Sequence, residues 1–276
     1  MEESTMGLRI NTNVPALNAS RTLQRSTLAL NKSLERLSSG LRINRAADDA
    51  AGLAIAEGFR SQVLGTQVAQ RNAQDGVSLV QTAEGALSET TNILQRIREL
   101  SVQASNGTQS TTNRAALNTE VIQLLAQIDD IATDTEFNGI RVLSAAQTVT
   151  LQAGANTSQT LVIGVAGAKS SDLGVSTVAV SSVALAVSAI STVDLALQSV
   201  STLRSTMGAF QNRLEFTINT LAIQEENAAA SESAIRDADI ARETIAFTRN
   251  QILVSAGTSV LAQANIVPQT ALQLLG

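Results

Sequence analysis

The chain has 276 residues, with 19 Lys and Arg against 24 Asp and Glu for a formal net charge of -5, and contains no His, Cys, Trp or Tyr. That composition excludes an imidazole general base, a thiolate nucleophile, disulfides and the usual zinc ligands. Lys32 and Lys169 are its two lysines, so the pattern points away from an enzyme and calls for no cofactor and no metal. The length suffices for one large domain or two, with a sizeable core.

Met1 to Thr5 is acidic and no apolar run follows, so no cleavable secretory signal is read; Met1 and Met6 are both candidate starts. Between Arg9 and Arg45 the charges are Arg9, Arg21, Arg25, Lys32, Arg36, Arg42 and Arg45 against Glu35 alone. No aromatic side chain interleaves with them to stack on bases, so this basic arm is read as a solvated helix face or a charged interface to a partner subunit, and not as a nucleic-acid site. Leu23, Leu30, Leu34, Leu37 and Leu41 step by seven, four, three and four, the seam spacing of helices that pair lengthwise. A helix follows over Asn44 to Arg60, where Arg45 with Asp49 and Glu57 with Arg60 are expected ion pairs.

The clearest periodic run is Val80, Ala83, Leu87, Thr90, Leu94, Ile97, Ser101 and Ala104, stopped by Asn106-Gly107. A helix through Leu117, Val121, Leu124, Ile128 and Ile131 returns antiparallel, and Asn138-Gly139 closes that helical hairpin. From Arg141 to Val180 the period changes. Thr148 to Gln152 and Gln159 to Val165 alternate as strands, with Ala153 to Ser158 as their loop, the one region of β character expected. Two strands are too few for an independent sheet, so this hairpin should lie on the helices. Leu173 to Val193 is charge-free and about long enough to span a bilayer. Its seven hydroxyls, from Ser176 to Thr192, read instead as a soluble segment without membrane insertion.

Helical spacing resumes with Ile190, Val193, Leu197, Val200, Leu203, Met207, Phe210, Leu214, Thr217 and Leu221. The last segment, Asn250 to Gly276, has no charged side chain, while Ile252, Leu253, Ala256, Val260 and Ala264 recur at helical spacing. A contiguous apolar face at a chain end marks an interaction surface. An interface with a partner is therefore assigned to Leu30, Leu34, Leu37 and Leu41 with Ile252, Leu253, Ala256 and Val260. The expected fold is mainly α, a long antiparallel helical bundle or coiled coil formed by both chain ends, with a small β-hairpin in the middle.

Leu37-Ser-Ser-Gly-Leu-Arg-Ile-Asn44 and Ala46-Ala-Asp-Asp-Ala-Ala-Gly-Leu-Ala54 near one end resemble bacterial flagellin. At the other end so do Ser231-Glu-Ser-Ala-Ile-Arg-Asp-Ala-Asp239, Gln251-Ile-Leu253 and Ser259-Val-Leu-Ala-Gln-Ala-Asn265 ahead of Pro268. The resemblance covers nearly the whole chain. It implies a terminal helical hairpin from residues 1–45 and 236–276 lining a filament lumen, and a bundle from 46–180 and 181–235 with the β-hairpin at about 141–180. Only about Ser170 to Ser182 stands where longer members insert outer domains, so no large outer domain is expected, nor the zinc peptidase that some members carry there.

The implied function is an extracellular structural subunit that polymerises with itself into the flagellar filament. The implied partners are an export chaperone and hook-associated proteins, and passage outward is as an unfolded chain. Alternatives are a hook-filament junction protein and a chemoreceptor-like signalling coiled coil. Leu94-Gln-Arg-Ile-Arg-Glu-Leu-Ser-Val-Gln103 resembles the segment by which the flagellin-sensing Toll-like receptor detects many members. Gln95, Arg96 and Leu100, with Glu120 on the next helix, match the positions concerned, and the same face is expected to pack neighbouring subunits. Asn106-Gly-Thr108 and Asn156-Thr-Ser158 match the N-linked acceptor pattern, which carries little weight by itself, and Ser170 to Ser201 offers hydroxyls for O-linked sugars.

Overall fold

The computed structural model of the chain describes residues 12–275. The expectations for Met1 to Thr5, Met6 and Arg9 lie outside the described residues. In chain order the elements are α1 (Val14–Ser39), α2 (Ala50–Ser105), α3 (Thr111–Asp134), β1 (Glu136–Phe137), β2 (Ile140–Arg141), β3 (Gln147–Gln152), β4 (Thr160–Val165), α4 (Val183–Arg236) and α5 (Ile240–Leu275). A short polar side chain opens each helix by accepting a hydrogen bond from an otherwise unpaired backbone N–H. Asn13 accepts from Ala16 in α1 and Asp49 from Gly52 in α2, Ser110 serves α3 by accepting from Asn113, Ser182 serves α4 through Leu185, and Asp239 serves α5 through Ala241. Gly40 ends α1 with a left-handed φ of 71° and donates its N–H to the Arg36 carbonyl, a conformation glycine adopts without steric cost.

The chain forms two compact units, one of residues 61–227 and the other of residues 12–60 with 228–275. In the first, α2, α3 and α4 bury one continuous core, with Val80, Ala83, Leu87, Leu94 and Ile97 facing Val121 and Ile128 of α3 and Val193, Ala196, Val200, Met207 and Leu214 of α4. The expected stripes thus form, and α2 is a single helix of 56 residues that runs through five glycines. Strands β3 and β4 pair antiparallel in register from Gln147 opposite Val165 to Gln152 opposite Thr160, with Leu161, Ile163 and Val165 turned into the core. This hairpin does lie on the helices. Backbone approaches closely enough that a Cβ at Gly76 would come within 2.3 Å of a Leu151 methyl, and one at Gly65 within 2.8 Å of the Ala155 Cβ. The Asn72 amide also donates to the Gln152 carbonyl at 3.1 Å.

Several local expectations are corrected. Asn138-Gly139 does not close the helical hairpin. With φ of 51° and 77° it is the two-residue turn between β1 and β2, a second strand pair outside the expected β region. The helix expected from Asn44 starts at Ala50, because the Asp48 carboxylate takes the Asn44 and Arg45 N–H groups in a turn before it and Asp49 caps its first turn through Gly52. Arg45 pairs with Glu35 at 2.7 Å, and not with Asp49, since residues 44 to 48 form a turn and present no helical face. Leu173 to Val193 forms no single helix: Leu173, Val175, Val178 and Val180 are buried in an irregular connection, and α4 begins only at Val183. That helix, α4, contains the described window long and apolar enough to cross a membrane, and one face of it belongs to the bundle core.

The connection from Ser170 to Ser182 is pinned to α3 by side-chain caps. Asp129 accepts from both the backbone N–H and the hydroxyl of Ser170, at 2.8 and 2.9 Å, and Asn118 accepts from the Val180 N–H at 2.8 Å. Irregular backbone can be buried there because its donors are satisfied.

Candidate subunit interface

In the unit formed by the two chain ends, α1 and α5 lie antiparallel. The Asn13 amide donates to the Ala264 carbonyl at 2.8 Å, Arg36 stands 3.8 Å from Glu243, and a Cβ at Gly257 would meet a Leu23 methyl at 3.2 Å. The seam runs through half-buried or buried Ala16, Ala19, Leu23, Ser26, Leu30, Ser33 and Leu37, at steps of three and four, against Val254, Gly257, Leu261 and Ala264. Small residues let the backbones approach, so the pair encloses little apolar volume. Among the described residues this unit fully buries just Ser33, Ile43, Ala56 and Ala228.

The residues assigned to the partner interface fall in that seam and beside it. Leu30 and Leu37 lie in it, Leu34 flanks it and is 53% exposed, and Leu41 sits beyond the helix in a β-bridge to Asp237. Ile252 at 63% and Val260 at 58% face outward, as do Leu253 and Ala256. The stripe read from the tail is therefore the free face of α5, and the seam stripe lies one or two residues away. Ile245, Ile252 and Leu253, with Thr244, Thr248 and Arg249, line a shallow apolar groove on that face.

Beyond the helix ends, a compact polar knot ties residues 35–57 to residues 232–243. Gly40 accepts from the Ala238 N–H and the Arg236 carbonyl from the Arg42 N–H, at 2.9 and 2.7 Å. Arg236 bridges Glu57 at 3.1 Å and Glu232 at 3.7 Å. Lys32 donates to Asp48 at 2.7 Å and, helped by the Arg45 and Asn44 N–H groups, holds that carboxyl down at about 2.

The receptor-motif residues belong to the other unit. Arg96 reaches across to Glu120 at 2.9 Å and along its own helix to Glu99 at 3.1 Å, and its guanidinium is held above its ordinary range chiefly by the Glu120 hydrogen bond. Gln95 is exposed and Glu120 half-buried, so Gln95 and the Arg96–Glu120 pair are accessible, whereas Leu100 is buried in the core. The sequence reading missed the apolar character of the outer surface of α4. Leu185, Val187, Leu195, Phe216 and Ile223 are exposed on a helix whose core stripe is Ala186, Ala189, Val193, Ala196 and Val200. Apolar residues lying off an already complete stripe are the signal that could have revealed it. Phe216 also borders an open groove of about 740 Å³ between α4 and the β3–β4 hairpin. Among the described residues no acidic or imidazole/thiol cluster could hold a metal.

Residues 10–148 match the family described as bacterial flagellin N-terminal helical region, and residues 190–275 match the bacterial flagellin C-terminal helical region. The chain belongs to the bacterial flagellin family. It is 48% identical over 269 residues to a flagellin of Halalkalibacterium halodurans, covering 96% of this chain and 99% of the relative. It is 44% identical over 284 residues to the flagellar filament 33 kDa core protein of Treponema phagedenis, covering 96% and 99%. To a flagellin of Bacillus subtilis it is 44% identical over 303 residues, covering 97% and 100%. The first family region holds α1, α2, α3 and the β1–β2 pair, and the second holds most of α4 with α5.

Proposed function

We propose that the chain is a structural subunit that polymerises with itself into the bacterial flagellar filament, outside the cell, and transmits motor rotation as thrust. One observation carries this reading. The α1–α5 unit buries almost nothing by itself while Leu34, Ile245, Ile252, Leu253 and Val260 stand in water. Burying such side chains stabilises by about 1.5–3 kcal/mol each before ordering costs, and contacts that are head-to-tail and do not close produce an open helical fibre. Residues 1–45 and 236–276 form the inner wall of that fibre in this reading, residues 46–235 surround it, and no large outer domain is added. The role is mechanical, with no covalent step assigned to any residue.

Electron microscopy of the purified chain tests this directly. Long fibres are expected from the intact chain and none from a chain lacking residues 250–276; fibres from the shortened chain would overturn the assignment. Passage outward as an unfolded chain suits a polypeptide without cysteine. The charge-free tail would then need an export chaperone in the cytoplasm, and the finished fibre would meet hook-associated proteins at its base and tip. A surface made of Gln95, Arg96 and Glu120, held in place from beneath by Leu100, would serve both the flagellin-sensing Toll-like receptor and a neighbouring subunit. Arg96→Ala is expected to weaken receptor activation by monomer and also fibre formation; leaving both unchanged refutes the shared surface.

A further inference from the structure

The chain contains two Asn-Gly pairs, at 106–107 and 138–139, and the structure surrounds them differently. Asn106 is exposed just beyond the end of α2. Its backbone carbonyl accepts from a guanidinium nitrogen of Arg114 at 3.0 Å and from the Gln109 N–H at 3.1 Å. Arg114 is fixed there by a second bond, from its Nε to the Ala104 carbonyl at 2.8 Å. The side-chain oxygen of Asn106 accepts from the Thr108 N–H at 3.2 Å. The Asn106 backbone N–H donates to the Gln103 carbonyl at 3.3 Å, while among the described residues neither the Gly107 N–H nor the side-chain amide nitrogen of Asn106 has a partner, and nothing lies within 4 Å of where a Gly107 Cβ would be.

We propose that Asn106 is a self-modification site at which this turn promotes loss of the side-chain amide. The Asn106 carbonyl and the Gly107 N–H are one peptide group. A fixed cation and a second donor on the carbonyl oxygen stabilise the anion formed when Gly107 N gives its proton to solvent hydroxide. The Thr108 N–H polarises the Asn106 side-chain carbonyl, the carbon that must be attacked. Gly107 N bonds to that Cγ, ammonia leaves with a proton from solvent, and a five-membered succinimide closes. Water then opens the ring. Breaking the Cγ–N bond gives aspartate, and breaking the bond between the backbone carbonyl carbon and nitrogen gives isoaspartate. Glycine matters here because it places no side chain in the path of ring closure.

Asn138-Gly139 is the control supplied by the same molecule. It occupies the β1–β2 turn with both residues at positive φ, and no guanidinium or other donor reaches the Asn138 carbonyl or side chain among the described residues. The product at position 106 is a carboxylate at the C-terminal end of α2, unfavourable with the helix dipole though beside Arg114. The isoaspartate form adds a methylene to the backbone and shifts the Asn106 carbonyl away from Arg114, loosening the α2–α3 turn. This inference stands whether or not the chain polymerises.

The test incubates the full chain at mildly alkaline pH and maps its peptides by mass spectrometry for exchange of an amide NH2 for OH. Enzymatic isoaspartate methylation serves as a second readout. Conversion is expected to be faster at 106 than at 138 in the native chain, and the two rates should converge in urea, where the turn is lost. A native ratio no larger than the urea ratio overturns the proposal. Arg114→Met should slow conversion at 106 by about tenfold, equivalent to roughly 1.4 kcal/mol of anion stabilisation, with 138 unmoved. An unchanged rate at 106 in a variant of native helicity also overturns it.

Discussion

In residues 61–227 the stripe Val80, Ala83, Leu87, Leu94 and Ile97 is completely shielded from solvent, whereas the seam of α5 through Val254, Gly257, Leu261 and Ala264 is half-buried against α1. Both are helical stripes of similar spacing in one polypeptide. The first is large and faces two other helices. The second alternates Val254 and Leu261 with the small Gly257 and Ala264, and other large apolar side chains of α5, Ile245, Ile252 and Val260, point away from its partner. A three-sided core of Leu, Ile and Val holds itself together, while a two-helix seam that mixes Leu and Val with Ala, Ser and Gly leaves further large side chains for something else to cover. The difference separates a unit that specifies its own fold from one whose burial is completed by other copies.

That contrast can be broken first at its strong end. Leu94→Ala is expected to cost about 2–5 kcal/mol, because α2, α3 and α4 converge on this position and collapse around the cavity is limited. Urea unfolding followed by helicity measures it, and a cost below about 1 kcal/mol would mean the core is not tightly packed. At the weak end, Ile252→Ser should leave monomer unfolding unchanged. It should raise the lowest concentration supporting fibres by about tenfold or more, since burial of one isoleucine is worth roughly 1.5–3 kcal/mol. A variant that destabilises the monomer equally would show the free face of α5 to be part of its own core.

Asp129→Ala ranks next. It removes both acceptors of Ser170 in a partly buried cap, and bonds to a charged group contribute about 1.5–3 kcal/mol. The loss should appear as faster amide exchange in residues 170–180 before any global change. Protection equal to the parent would show that buried Leu173, Val175 and Val178 hold the connection without the cap.

Much of this is legible in the sequence, and each exception has a physical cause. The stripes of α2, α3 and α4 and the β3–β4 hairpin could be read because burial on one face leaves a period. Leu34 could not be placed, since a leucine facing a future partner and one in the seam look alike in a heptad count. On the tail, Ile252, Leu253, Ala256 and Val260 fall on the free face while Ala264, read in the same stripe, lies in the seam, which is set at Gly257 by close approach to Leu23. Asn138-Gly139 was assigned to a helix end, although the same dipeptide favours a two-residue hairpin; the strands it joins, β1 and β2, are only two residues each and leave no alternation to detect. The Lys32–Asp48 and Arg45–Glu35 pairs join residues across a turn, outside the reach of any helical spacing rule.

The smallest expected effect concerns that turn and sharpens the comparison from the weak side. Asp48 has its carboxyl lowered from 3.8 to about 2, first by the Lys32 hydrogen bond and then by the Arg45 and Asn44 N–H groups. A depressed carboxyl contributes stability above its ordinary value and loses it as pH falls through its folded one. Its contribution should therefore be intact above about pH 4 and fade towards pH 2. Carbon-detected NMR of the Asp48 carboxyl follows the midpoint, which Lys32→Met should move up toward 3.8. A midpoint unmoved by Lys32→Met would leave the two N–H groups as the main cause. Because Lys32 is half-exposed, the pair should also weaken with added salt. Residues 61–227 include no partner of this carboxyl, so their acid response should be the same in Asp48→Asn as in the parent chain. A shared shift would mean that the turn beside α1 governs both units.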